Sequence, residues 1–141
     1  MCRLPEEGLI MERIRLSTHS REEMQNVTGL LRDAVSRHQW KDGVLVVFCP
    51  HTTCGITVNE GFDPDVALDM TRFFHERIPQ DYGFRHAEGN ADAHIKAALF
   101  GSSVQLIVEH GDLLLGTWQA VWLFEGDGPR TRELWLKWLN A

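Results

Sequence analysis

The sequence predicts an α+β fold with mostly antiparallel strands, and three observations carry that expectation. Apolar alternation and continuous apolar runs give more strand-like than helix-like segments, in the order β-α-β-β-α-α-β-β-β. The connections between them are tight turns, too short for the helical crossovers of a parallel sheet. The run from 118 to 125 is largely apolar on both faces, with Trp118, Ala120, Trp122 and Phe124 on one and Val121 and Leu123 on the other. Its sheet needs cover from two sides, which helices supply on one and another sheet or subunit on the other.

Taken in order, Ile10, Glu12, Ile14 and Leu16 alternate with Met11, Arg13 and Arg15, which predicts a first strand. Ser20 followed by Glu23 fits a capping box. Met24, Val27, Leu31, Ala34 and Val35 then recur at helical spacing, a unit that Asp42-Gly43 ends. Residues 43–49 form a β-branched, continuously apolar run, as expected of a strand covered on both faces, and 55–59 read as another strand. Asp63 and Pro64 fit N-cap and first position of a second helix, with Val66, Met70, Phe73, Phe74 and Ile78 as its buried face. Loop follows over 79–89. Asn90 is the expected N-cap of a short helix through Phe100, with Gly101 just past its end. Strands are expected at 104–109, 116–125 and 130–139, joined by His110-Gly111-Asp112 and Gly126-Asp127-Gly128-Pro129.

With 141 residues and no linker or repeat, the chain reads as one domain over 1–141. Fourteen Lys and Arg against 20 Asp and Glu give a net charge of −6. Arg130, Arg132 and Lys137 gather near the end, too few for a nucleic-acid footprint, so no nucleic-acid partner is expected. Cys2, Cys49 and Cys54 match no common zinc spacing, and an odd, sparse set suits a reducing compartment. The 1–7 segment lacks the apolar stretch of a signal peptide, and the longest apolar run, 44–49, is far short of the roughly 20 residues that span a bilayer. A cytoplasmic protein with no membrane partner is the expectation.

Function is concentrated in two polar blocks, 51–65 and 86–94, rich in His, carboxylate, Asn and Thr side chains that are expensive to bury. His51 follows a buried strand, where a rigid element can fix an active group; equally, His51, Thr52 and Thr53 can simply satisfy a turn. His86 lies in a loop and His94 in the first turn of a helix, so the loop can bring the imidazoles together. With one more ligand they make a zinc-type site; without it they are solvated side chains. Glu60, Asp63, Asp65, Glu88 and Glu125 are the carboxylate candidates; Asp63 and Asp65 suit a helix start, whereas Glu60, between a strand end and a Gly, has no such excuse. Glu60 can be a metal ligand, the partner that orients a histidine, or a general base. Cys54 reads as a packed thiol, with nucleophile as the other reading. Backbone N–H groups after Gly89 and Asn90, with Arg130 or Lys96, offer an anion subsite. His19, His38 and His75 read as solvated, and His110 as a turn residue.

These blocks together resemble the YjbQ family. The resemblance rests on His51-Thr52-Thr53, Ile56, Asn59-Glu60, Asp63-Pro64-Asp65-Val66 and His86, then on 89–96, 116–119 and 127–130 in the same order. It implies a two-sheet β-sandwich with flanking helices, assembled as a homotrimer, with a metal-capable pocket on His51, His86 and His94. Weak thiamine-phosphate synthase activity also comes with the resemblance. Gly61-Phe62 and His110 depart from the family pattern, and Phe62 beside the pocket bears on substrate fit. The expectation is a metal-dependent enzyme, zinc first among the ions, acting on a small phosphorylated or heterocyclic metabolite. His51, Glu60 and His86 are the expected catalytic groups, and Thr52, Thr53, Asn59, Asn90 and Arg130 the substrate contacts. A non-catalytic trimer that binds a metabolite or metal, and a purely structural role for both blocks, are the alternatives.

Overall fold

The computed structural model describes residues 11–141. They run β1 (Met11–Ser17), β2 (Glu23–Asn26), α1 (Thr28–Arg37), β3 (Gly43–Phe48), β4 (Cys54–Glu60), α2 (Pro64–Arg77), α3 (Ala91–Phe100), β5 (Ser103–Glu109), β6 (Asp112–Leu114), β7 (Gln119–Glu125) and β8 (Thr131–Asn140). Cys2, Ile10 and the 1–7 segment lie outside the described residues. All the strand pairs are antiparallel, in a five-stranded sheet ordered β1-β8-β3-β5-β6 and a three-stranded sheet ordered β2-β7-β4. The α+β, two-sheet expectation holds.

Leu45, Val47, Leu106, Leu134 and Leu136 of the large sheet meet Ile56, Val121 and Leu123 of the small one, and α1 adds Leu31, Ala34 and Val35. Each Leu, Ile or Val among them contributes about 1.5–3 kcal/mol of apolar burial. The small sheet's other face carries the remaining helices. Phe124 stacks on Phe100 of α3 at 4.3 Å between centroids, and Phe74 of α2 meets Phe100 edge-on at 5.3 Å. Gly55 permits this approach, because a Cβ there would lie 2.8 Å from Cβ of Phe100. The run at 118–125 is thus covered on two sides, as its pattern requires, although Trp118 itself stays exposed.

Local expectations fail at five places. Residues 23–26 are strand, not the first turn of a helix: Met24 pairs with Phe124, and α1 starts at Thr28. The Glu23 carboxylate does reach back, accepting the His19 N–H at 2.6 Å, but it closes a turn, and the free edge of β7 claims the backbone. The 110–112 turn opens into β6 through a two-residue loop with positive φ at His110 and Gly111, the type I′ geometry of a tight hairpin. The outer face of β3 is only partly covered, with Phe48 40% exposed. On α2, Ala67 alone is fully buried and Phe73 is exposed, although Asp63 caps it as expected, its Oδ1 accepting the Asp65 N–H at 3.0 Å.

Residues 126–130 are not a hairpin turn either. They carry the chain from the small sheet to the large one, as 18–22 and 49–53 carry it the opposite way. Backbone in these three crossovers has no ladder to join, so the segments bond one another. The Thr18 N–H donates to the Arg130 carbonyl (2.8 Å), Gly126 to Thr53 (2.9 Å) and Gly128 to Arg21 (2.9 Å).

Candidate functional site

Where the crossovers meet, the sequence places two charges on the inward face of its strands. Arg132 shares the phase of Leu134 and Leu136, and Glu125 that of Val121 and Leu123. Both are buried. The Arg132 guanidinium donates to both Glu125 oxygens, through Nε at 2.7 Å and through Nη2, and Nη2 also reaches Thr53 Oγ1 at 2.8 Å. Glu125 further accepts from the Thr18 hydroxyl (2.9 Å) and the Asp127 N–H (2.8 Å). The carboxylate keeps Arg132 firmly charged against the pull of burial. These partners all come from within the chain, so the cluster holds the crossovers together.

A second cluster fixes α3. Lys96, fully buried, donates to Asp92 one turn earlier (2.8 Å) and to Glu22, while Arg21 grips Asp92 through both Nη atoms at 3.0 and 3.2 Å. Burial raises the Asp92 carboxyl, yet its bonds to Arg21 and Lys96 outweigh that and hold it below the ordinary range. His75 of α2 joins at Glu22, 2.8 Å away.

Beside the seam, on its β4 side, lies a cleft of about 380 Å³, lined by His51, Thr52, Cys54, His94, Ala97, Ala98, Gly101 and Ser102. The 49–53 crossover supplies one wall and α3 the other. Nε2 of His51 accepts the Glu133 N–H at 2.9 Å, so the neutral ring carries its proton on Nδ1. Burial, and then the positive charge of Arg132, hold this imidazole below its usual pKa. His94 packs against His86 edge to face, centroids 5.1 Å apart, and His86 lies 3.6 Å from Glu88. His86 faces a smaller adjoining cleft of about 150 Å³ with Gln80, Asp81, Gly83, Phe84, Gly89 and Ala91.

The structure therefore brings His51, Thr52 and His94 together and sets His86 against His94, but it separates the other expected site residues from them. Thr53 is buried and spent on Arg132 and Gly126. Asn59 and Glu60 lie at the opposite end of β4, roughly 20 Å from Cys54 at the strand rise per residue. There Asn59 accepts the Glu60 N–H, and Glu60 accepts the Phe62 N–H at 3.2 Å. Asn90 and Arg130 both donate to Oδ2 of Asp127, at 2.8 and 3.0 Å, and Asn90 makes no cap bond to α3. Among the described residues no three His, Cys, Asp or Glu side chains converge as a metal site requires. The His51 Nε2 lone pair is already engaged, so the three histidines do not converge as one ligand set. His38 is half-buried, stacked on Trp40 and paired with Glu12, rather than simply solvated.

Sequence reading missed Arg21, Glu22, Thr18 and Asp127. For Glu125 and Arg132 a signal existed, since each is a charge in the apolar phase of its strand. For Arg21 and Glu22, in an irregular connection, no periodicity could have spoken.

A family model described as UPF0047 protein YjbQ-like matches residues 12–141. The UPF0047 protein MJ1081 of Methanocaldococcus jannaschii is 46% identical over 87% of this chain and 89% of its own length. The UPF0047 protein YugU of Bacillus subtilis is 41% identical over 93% of this chain and all of its own. Among solved structures, an uncharacterized conserved protein of the YjbQ/UPF0047 family from Clostridium acetobutylicum superposes with a TM-score of 0.87. It shares 44% identity over 91% of this chain and 99% of that one. A hypothetical protein from Aeropyrum pernix K1 also scores 0.87, at 33% identity, covering 93% and 98%. No helix among the described residues is long and apolar enough to cross a membrane.

Proposed function

This chain belongs to the YjbQ-like UPF0047 family, and from that premise we propose that it is a cytoplasmic, trimeric enzyme whose working site is the cleft between the 49–53 crossover and α3. One observation carries the reading: His51 and His94 line the same cleft, while the carboxylates of the neighbouring ion pairs are engaged within the chain. Polar groups left with open valence beside a satisfied scaffold are what a site needs. In this reading His51 is held as a neutral imidazole that donates to substrate through its protonated Nδ1, and the Thr52 hydroxyl positions substrate. His86 and His94 are the pair that holds a divalent ion, zinc first, with the remaining ligands supplied by substrate or a neighbouring subunit. Bound there, the ion would polarise a phosphoryl or carbonyl oxygen. The substrate is a small phosphorylated or heterocyclic metabolite, and thiamine-phosphate synthesis is a side reaction.

The test measures zinc content of the purified trimer, then turnover of phosphate esters, pyrophosphates and thiamine-phosphate precursors, beside His86→Ala/His94→Ala. Zinc and turnover in the wild type, both lost in a variant that stays trimeric, are the expected result. Saturable binding without turnover would make the protein a binding module instead. Zinc retained by the double variant would remove the proposed site.

A further inference from the structure

We propose that Cys49 and Cys54 form a reversible disulfide within the folded chain, modifying the wall of the His51 cleft; its consequence for function rests on the reading of that cleft as the working site. The two thiols stand at either end of the 49–53 crossover, Cys49 just past β3 and Cys54 opening β4, with His51 on the short loop between them. Both are free and buried, and the Cys49 thiol lies 3.4 Å from the Cys54 carbonyl oxygen. Cys54 also lines the cleft, and Cys49 lies directly against it.

The two sulfurs have unequal chemistry. A hydrogen bond from the Cys54 thiol, against the opposing effect of burial, favours the Cys49 thiolate, and the His51 N–H and the Arg132 charge add to it. Cys54 is pushed the other way, by that same bond and then by burial, and keeps its proton. Cys49 is therefore the attacking sulfur and Cys54 the resolving one. The Cys49 thiolate attacks one oxygen of hydrogen peroxide, the O–O bond breaks, and the departing hydroxide takes a proton to become water. The Cys54 sulfur then displaces hydroxide from the Cys49 sulfenic acid, its proton leaving with that hydroxide as a second water. Two thiols lose two electrons, and one peroxide becomes two waters. The cross-link moves the Cys49 sulfur that the His51 N–H faces, so oxidation reaches the backbone of the cleft histidine directly. A dithiol reverses it by exchange.

The experiment uses the full chain carrying Cys2→Ser, treated with hydrogen peroxide and then alkylated under denaturing conditions. Both cysteines fall on one tryptic peptide, 42–72, with no Lys or Arg between its ends. The expected product is that peptide two hydrogens lighter, unalkylated at both sites and restored by dithiothreitol. In Cys54→Ser, Cys49 stops at a sulfenic acid that dimedone traps. In the oxidised protein, the His51 ring and amide NMR signals move further than those of any other histidine. Two thiols still open to alkylation, Cys49 carried to the sulfinic acid without the cross-link, or a cross-link between chains would each overturn the proposal. A cross-link that leaves the His51 signals in place would overturn its coupling to the cleft. These readouts need neither zinc nor a substrate, so they stand apart from the test of the enzyme reading.

Discussion

The Glu125–Arg132 seam and the His51–His94 cleft sit side by side and draw on the same polar stretch, yet they are built on opposite terms. In the seam both carboxylate oxygens of Glu125 and two nitrogens of Arg132 find partners inside the chain, whereas in the cleft His94 has only another imidazole for company and the Nδ1–H of His51 donates to no group of the chain. Even within the 51–53 turn, Thr53 serves the seam while His51 and Thr52 face the cleft. Richness in polar residues therefore marks two different things: the closure of sheet crossovers, and a place open to chemistry. Telling them apart requires knowing who the partners are.

The sharpest way to break this comparison is to remove a charge from the seam. Arg132→Met leaves the Glu125 carboxylate buried without its guanidinium, and urea unfolding should register a loss of about 3–5 kcal/mol. Replacing both partners with apolar residues of similar volume should cost much less, since no orphan charge remains. A single variant as stable as wild type would show the seam to be dispensable. Next in size is Gly55→Ala, which forces a Cβ against Phe100 and the Gly101 carbonyl at the base of the cleft; a loss of about 1–3 kcal/mol is expected by the same measurement. On the cleft side, His94→Ala should fall within about 0.5 kcal/mol of wild type, the scale of a side chain outside the packed core. A larger loss would move His94 from chemistry to architecture.

Acid titration sharpens the contrast. Asp92 is held below its unfolded value, so its contribution is present above pH 3.8 and is lost as the pH falls through the lower folded value. His51 acts higher on the scale. Its folded pKa lies below the unfolded 6.5, so the unfolded chain binds the extra proton, and stability falls as the pH drops from 6.5 toward the folded value. His51→Gln keeps an acceptor for the Glu133 N–H and should flatten that slope. An unchanged slope would refute the neutral assignment.

Much of the architecture was legible because strand and helix periods are local. The two-faced pattern at 120–125 announced a covered sheet, and Asp63-Pro64 announced α2. Residues 23–26 were misread because their helical spacing lost to an unpaired edge of β7 more than 90 residues away, which no local window registers. At the site, the histidines were legible as polar groups without packing duty. The fates of Thr53 and Asn90 were not, since each is set by a partner on another segment, and Arg130 turns back on Asp127 within its own irregular connection. Glu60 looked unexcused only because its own turn, closed on the Phe62 N–H, has no sequence signature.

The most direct test of the division within the histidines is a long-range ¹H–¹⁵N NMR spectrum of the imidazoles, recorded while zinc is added to the chelator-treated protein. The account predicts that His86 and His94 nitrogens shift together to saturation, while His51 keeps an unprotonated Nε2 and its original position. A His51 that takes the metal, or a His86–His94 pair indifferent to it, would contradict the account.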